Sequence, residues 1–307
     1  MVFKKLLVLG PLSILTLFGQ KLAAQKSLLD ELGTDEATTE YVKYSFKTNR
    51  VINLHSLEST AAGVMDFKIS HRFNPIDKGA YDLFGLDGAQ QRFGFDFGLT
   101  DDLTVGINRN SYRKAYDGFV KYRFLRQSTG KVNMPITLAL MTSAAIETQN
   151  FDDPTRTNYF SSRMFYTSQI IVGRKFSEAF TLELAPTYVH RNLVPTKTVK
   201  NDIYALGVGT RFRLTKRVAL TGEYMYVFPN QLASNYKNML SLGVDIETGG
   251  HVFQLHFTNS PSMSEYSFVT QNDTDFFAKG GAGMRMGFNV SRVFTLWGGK
   301  KDEVKAK

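Results

Sequence analysis

Apolar and polar residues alternate with a period of two along most of this chain, and this pattern limits its possible folds more than any other feature. In the segment 65–73 the odd positions are mostly apolar, whereas the even positions carry charged or hydroxyl side chains. Successive side chains of a β-strand point to opposite faces, so the segment is predicted to be a strand with one apolar face. Similar segments follow one another from residue 63 to residue 297 without a composition break that would mark a second domain. The sequence therefore predicts one all-β domain, an antiparallel up-and-down barrel of about twelve strands.

The lengths of the predicted strands and connections favour a membrane barrel. The strands are roughly ten to fourteen residues long, which exceeds the usual soluble strand and suits a tilted strand that crosses a membrane. Outer-membrane barrels alternate short periplasmic turns with long external loops. The predicted short connections are 100–102, 127–131, 177–179, 215–217 and 249–250, and the predicted long ones are 74–90, 110–115, 147–161, 191–201, 229–237 and 260–282. This alternation predicts that both mature termini lie in the periplasm. A soluble β-sandwich stays open as an alternative, although its loops need not alternate in this way.

The N-terminal residues have the pattern of an export signal. Lys4 and Lys5 precede an apolar run over 6–18, and small residues end at Ala24. The run is too short to span a bilayer as a helix, so a retained anchor is the weaker interpretation. We predict a signal peptide at 1–24, a periplasmic leader or lumen plug at 25–62, an outer-membrane barrel at 63–297 and a charged tail at 298–307.

Composition excludes several classes of site. The chain has no cysteine, which excludes disulfides, thiolate metal sites and cysteine nucleophiles. Its formal charge is +9, but the basic residues are spread singly among carboxylates rather than gathered in a run. We therefore expect no nucleic-acid partner, no metal site and no cofactor.

Charged residues recur on the polar face of the predicted strands, where they would line the lumen. The candidate lumen-lining residues are Asp66, Lys68, Arg72, Arg92, Asp96, Lys121, Arg123, Glu183, Arg211, Arg213, Glu223, Asp245, Glu247 and Arg285. Charges of both signs can pair across a narrow barrel and fill it, or they can form a constriction that selects polar or anionic solutes. The small inward residues Gly207 and Gly209 are interpreted as space for neighbouring large Arg side chains.

The segment 41–58, which precedes the barrel, combines alternation with a run of polar residues. Its candidates for a plug inside the lumen are Asn49, Arg50, Asn53, His55 and Glu58. A small periplasmic hairpin or an extension of a sheet edge explains the same pattern equally well.

Histidines near predicted strand ends raise the alternative of a surface enzyme. His71 or His190 could pair with Ser70 or Ser162 to form a lipase-like site at the membrane surface. No nucleophile-elbow motif accompanies these residues, so we expect no enzymatic activity. His251 and His256 fall on opposite faces of one strand, which argues against a shared metal site.

Four stretches of this sequence resemble a known family. They are FKTNRVIN at 46–53, DFKISHRF at 66–73, APTYVHRNL at 185–193 and DIETGGHVFQLHFTN at 245–259. They are similar to those of uncharacterised β-barrel proteins from Bacteroidetes-type bacteria, and the likeness runs from about residue 41 to residue 296. The resemblance implies an outer-membrane barrel and supplies no catalytic residues.

Together these features predict a narrow, porin-like channel or transport-related pore for small polar solutes in a Gram-negative outer membrane. Its expected partners are outer-membrane lipid, the barrel-insertion machinery and a small polar solute. A non-conducting barrel that acts as a binding or assembly scaffold is the alternative, and a surface lipid-modifying enzyme is a third hypothesis.

Overall fold

The computed structural model describes residues 38–151, 153–155, 157–194 and 196–297. The predicted signal peptide, the first part of the predicted leader and the charged tail lie outside the described residues. No helix in the described part of the chain is both long and apolar enough to cross a membrane.

Twelve antiparallel strands form a closed barrel in which each strand pairs with its neighbours in the chain, and the last strand pairs with the first. The barrel strands are β2 (Val64–Pro75), β3 (Ala89–Gly98), β4 (Leu103–Asn110), β5 (Ala115–Leu125), β7 (Thr137–Glu147), β8 (Met164–Lys175), β9 (Phe180–Arg191), β10 (Asp202–Arg213), β11 (Val218–Val227), β12 (Met239–Thr248), β13 (His251–Thr258) and β14 (Arg285–Thr295). The prediction of an up-and-down barrel of about twelve strands is confirmed.

The period-two pattern places one apolar face of the sheet against lipid, and this placement requires the barrel to close. The odd positions of β2 and the corresponding positions of the other strands turn apolar and aromatic side chains outward, such as Phe95, Ile107 and Leu140. A strand in hydrocarbon must pair every backbone N–H and C=O with another strand, since no water is there to satisfy them. Pairing of β14 with β2, from Thr295 opposite Val64 to Arg285 opposite Pro75, removes the two edges that an open sheet would leave.

The connections define two ends of the barrel. The end with the turns 99–102, 176–179, 214–217 and 249–250 is called the turn end, and the opposite end is called the loop end. The predicted alternation of short and long connections is wrong at two places. The predicted short connection 127–131 belongs to the longer stretch 126–136, and the predicted long connection 110–115 shrinks to 111–114. The second difference arises because Arg113 and Lys114 both adopt left-handed backbone angles, with φ of 51° and 49°, which allows a tight hairpin turn.

Two short strands lie outside the barrel sheet. β1 (Thr39–Tyr41) and β6 (Ser128–Gly130) pair in a separate two-stranded sheet. In this small unit the amide of Lys131 donates to the carbonyl of Thr38 at 3.3 Å, and the amide of Val132 donates to Thr39 Oγ1 at 3.2 Å.

The inner face of the barrel has two different halves. Strands β2 to β5, β13 and β14 turn charged and amide side chains inward. By contrast, β7 to β12 carry most of the buried apolar residues of the wall, including Met141, Ile171 and Met225, alongside buried polar residues such as Glu183 and Glu223. The only α-helix among the described residues, α1 (Glu265–Thr270), lies in the connection between β13 and β14, and all six of its residues are buried. Buried apolar groups inside a barrel require other apolar groups to cover them, and the covering segments form the candidate site.

Candidate functional site

Residues 45–60, here called the plug, fold as a hairpin inside the barrel. The amide of Ser56 donates to the carbonyl of Asn49 at 3.0 Å, and the amide of Val51 donates to the carbonyl of Leu54 at 2.8 Å. Val51, Leu54 and His55 are completely buried. The segment enters at the turn end, where the amide of Val42 donates to Gln127 O, and it returns there to begin β2.

The tip of the plug is held by one carboxylate of the barrel wall. Glu223, on β11, accepts hydrogen bonds from three successive main-chain amides: Ile52 at 3.2 Å, Asn53 at 2.9 Å and Leu54 at 2.9 Å. The side-chain amide of Asn53 adds a fourth donor at 2.6 Å. Hydrogen bonds to an ionised acceptor are stronger than neutral ones, so Glu223 fixes the tip firmly.

Two further wall residues hold the arms of the hairpin. Glu183, on β9, accepts from the amide of Leu57 at 3.0 Å. Lys121, on β5, donates to the carbonyls of Asn49, Ser56 and Glu58. Main-chain groups of the plug therefore supply hydrogen-bond partners for these two buried side chains.

The polar half of the wall grips the plug through side chains. The Asn49 side chain donates to Asp96 at 2.7 Å and accepts from Lys68, which also pairs with Asp96. Arg72 donates to Asn53 Oδ1 at 2.7 Å. The plug therefore has partners on strands β2, β3, β5, β9 and β11, around the whole circumference, and can only lie within the lumen.

The apolar half of the wall packs against the apolar side chains of the plug. Val51 and Leu54 belong to one buried cluster with inward residues of β7 to β12. The two glycines predicted to make room for Arg side chains make room for the plug instead, so that explanation is wrong. A Cβ at Gly207 would lie 3.2 Å from Leu54 Cδ1, and one at Gly209 would lie 2.9 Å from Val51 Cγ2.

A second segment fills the lumen from the loop end. Residues 259–272, here called the inner loop, include α1 and are almost entirely buried, which corrects the prediction that 260–282 is wholly an external loop. Arg92 donates to the carbonyl of Met263 at 2.8 Å, and Ser264 donates to Asp117 at 2.8 Å. The run of small polar residues around Pro261 was a sequence signal for this burial, since it offers hydrogen bonds without bulk.

The plug and the inner loop meet at Glu265, which sequence reasoning missed. Its carboxylate lies 2.5 Å from Arg50 Nη1 and 3.1 Å from His55 Nε2. Burial lowers the pKa of His55 well below its usual value, and the positive charges of Arg50 and Lys121 lower it further. His55 is therefore neutral at pH 7, and Arg50 is the counter-ion of Glu265.

The space left between the plug and the polar half of the wall is small. A cavity of about 20 Å³ remains among Arg72, Arg92, Asp96 and Asn289. One water needs on the order of 10–15 Å³ of such space. The cavity can hold a water and has no room for a sugar or an amino acid.

The other candidate lumen residues lie around this centre or at its ends. Asp66 accepts from Ser291 at 2.5 Å, and Asp245 accepts from Gln254 at 3.0 Å. At the turn end Arg123 pairs with Asp102 at 2.8 Å and Arg213 with Glu178 at 2.9 Å. The remaining three are Glu247, 2.5 Å from Lys47, Arg211, which is buried, and Arg285, which donates to Phe73 O at 3.4 Å near the loop end.

The residues proposed for a lipase-like pair do not come together. Ser70 lines the inner cavity, whereas His71 stacks on Phe288 on the outer face with ring centroids 4.6 Å apart. His190 bonds to Asp202 at 2.7 Å, and Ser162 lines a separate cavity at the loop end. Among the described residues, no group of His, Asp and Glu has the arrangement of a metal site.

Comparison with known proteins identifies the family. The model of the Membrane bound beta barrel domain (DUF5777) matches residues 46–294, which include the plug from Phe46 onward as well as the barrel. The chain belongs to this family. The plug therefore lies within the family domain and is not an addition to it. No curated protein matches the sequence.

Several solved membrane barrels share the general architecture at low similarity. The NanC porin is 7% identical, with a TM-score of 0.46 over 75% of this chain and 98% of the porin. The KdgM porin is 10% identical, with a TM-score of 0.44 over 75% and 99%. An outer membrane channel from Pseudomonas putida F1 is 12% identical, with a TM-score of 0.46 over 78% and 98%. Likenesses this distant add nothing to the assignment of an activity.

Proposed function

We propose that this protein is an outer-membrane barrel that is closed in its resting state and acts as a binding scaffold rather than as an open pore. The observation that carries the proposal is the anchoring of the plug tip, where Glu223 binds three successive amides. In a pore that lets solute pass freely, such a wall carboxylate would be exposed to water. Here it is part of a packed interior.

The apolar half of the lumen supports the same conclusion. Phe46, Val51, Leu54 and Leu57 are each at most 2% exposed. Burial of a side chain of this size contributes about 1.5–3 kcal/mol. Withdrawal of the plug would expose these residues together with the wall residues they cover, so the filled lumen is favoured at rest.

Placement in the outer membrane follows from the predicted export signal and the apolar outer belt, with membrane lipid and the insertion machinery as partners. We place both chain ends in the periplasm, because the plug enters and leaves at the turn end and outer-membrane barrels keep their short turns on that side. Origin in a Bacteroidetes-type bacterium stays a prediction.

A gated channel for small polar solutes is the second candidate. The contacts between the plug and strands β2, β3, β13 and β14 are polar and surround the small cavity. Water can replace polar contacts at low cost, so this seam is the place where a path would open if a signal moved the plug.

Conductance in planar lipid bilayers tests both candidates. The wild-type protein should be silent, and regular open-channel steps from it would overturn the proposed closure. A variant lacking residues 26–59, and therefore nearly all of the plug, then tests whether the plug blocks conduction. Conduction by this variant shows that the plug is the barrier, as the gated channel requires, whereas silence with an intact barrel means that the inner loop still closes the lumen and favours the scaffold.

A further inference from the structure

A second cavity opens at the loop end and is separate from the lumen centre. Its volume is about 380 Å³, within the range of small-molecule sites. We call it the vestibule. Its lining residues come from the connections after β4, β7, β9 and β11 and from the end of the inner loop, where Gln271 forms part of the wall.

The described residues that line the vestibule carry a net positive charge, and their acidic groups already have partners, including an ion pair of 3.8 Å between Glu147 and Arg113. Arg113, Arg163 and Arg191 line it together with Glu147 and Asp153. Glu147 accepts from Tyr266 at 3.2 Å and from Gln271 at 2.9 Å. Asp153 accepts from the amide and hydroxyl of Thr155 at 2.9 and 2.6 Å. Local donors therefore occupy the carboxylates.

Arg191 is the most deeply buried arginine of the vestibule, and its burial points to a ligand. Its side chain is 3% exposed, and its contact with the carbonyl of Lys200 at 2.7 Å uses only one arm of the guanidinium. Within the described ranges it has no acidic partner, and its Nε has no hydrogen-bond partner. A buried cation is costly unless it is paired. An anion in the vestibule would supply that pairing.

The remaining lining residues indicate what the anion carries. The guanidinium of Arg163 lies 3.8 Å from the ring centre of Phe151, which holds its plane fixed. Phe165 and Tyr236 add apolar faces, while Gln149, Asn150 and Ser162 offer groups for hydroxyls. Arginine forks match carboxylate and phosphate oxygens equally.

We propose that the vestibule binds a small hydroxylated organic anion, with a carboxylate or phosphate group on Arg191 and Arg163. The proposal deepens the proposed function by naming what the scaffold binds. It is tested separately from closure, because conductance reports on the plug and calorimetry reports on the vestibule.

Titration calorimetry on the full chain in detergent tests the site with three probes. Glucuronate presents a carboxylate, glucose 6-phosphate presents a phosphate, and glucose is the neutral control. At least one anionic probe should bind, with glucose at least about tenfold weaker. The stronger of the two anions identifies the preferred group. Absence of binding by both anions at millimolar concentration, or equal binding of glucose, would overturn the proposal.

Variants assign the binding to the arginines. Arg191→Gln should weaken binding of the anionic probe by about tenfold or more. Arg163 is less buried, so Arg163→Gln serves as a second variant if the first folds poorly, and it should also weaken binding. Arg217→Gln changes an exposed arginine at the turn end and is the matched control. Affinity unchanged in both vestibule variants, or reduced equally in the control, would refute the assignment.

Discussion

Glu223→Gln is the change that tests the anchoring of the plug most directly. Glutamine keeps the shape of the side chain but replaces one acceptor oxygen with a donor. Whichever oxygen is replaced, the new amide group faces at least two plug donors, because Oε1 accepts from Asn53 N and Nδ2 and Oε2 from the amides of Ile52 and Leu54. Each lost hydrogen bond to a charged acceptor costs about 1.5–3 kcal/mol, so docking of the plug should weaken by roughly 3–6 kcal/mol.

The absence of cysteine from the chain provides the assay. Ser56→Cys places a single thiol at a completely buried position of the plug, close in size to the serine it replaces. A membrane-impermeant maleimide reacts with it only when the plug opens, so the labelling rate reports the open fraction. A loss of 3 kcal/mol corresponds to a rate increase of about two orders of magnitude.

The comparison needs a barrel that is intact in both proteins, which heat-modifiable migration on a gel verifies. Glu178→Gln is the control, because Glu178 is an exposed carboxylate in a turn-end connection and pairs only with Lys175 and Arg213 among the described residues. If Glu223→Gln labels at the rate of the parent while the barrel stays folded, Glu223 does not anchor the plug.

Two other perturbations use the same thiol at position 56. Gly209→Val should raise the labelling rate, because the valine side chain would overlap Val51 and Glu183. We expect this overlap to destabilise the docked plug by about 1–3 kcal/mol. An unchanged rate would show that the plug does not approach β10 this closely. Acidification should also raise the labelling rate relative to that of a free cysteine thiol at the same pH, a comparison that is needed because maleimide reacts with the thiolate and every thiol reacts more slowly in acid. Burial lowers the pKa of the docked His55, whereas the undocked residue takes up a proton near pH 6.5. Docking of the plug should therefore weaken as the pH falls below 6.5, by up to about tenfold at pH 5.5. His55→Gln should abolish this pH dependence.

The sequence was sufficient to predict the barrel because its pattern is repeated in every strand. Period two reports which side chains share a face, and lipid outside the barrel demands that one face be apolar. Connection lengths are less certain from sequence. The turn at Arg113 and Lys114 depends on backbone angles that these residue types rarely adopt, and nothing in their identity announces it.

The contents of the lumen could be predicted only in part. Polar residues such as Asn49 and Asn53 suggested a plug, but the same residues fit a periplasmic hairpin, because a sequence does not show which groups will accept from their amides. The inner loop was harder to predict, since a buried α1 and an exposed loop can have the same composition. Its role depends on Glu265 reaching Arg50, a contact between residues far apart in the chain.

The number of inward charges is a poor guide to which ions or solutes could pass through a barrel like this. The inward carboxylates and cations nearly balance in number, which suggested either cross-lumen pairing or a weakly selective constriction. The structure shows a third arrangement. Glu223 accepts from main-chain amides of the plug and Lys121 donates to its carbonyls, so both wall residues bind the plug and neither faces solvent. If the plug moved, ion selectivity would therefore depend on the charges left along the open path. Which charges these are depends on where the plug goes as well as on the wall.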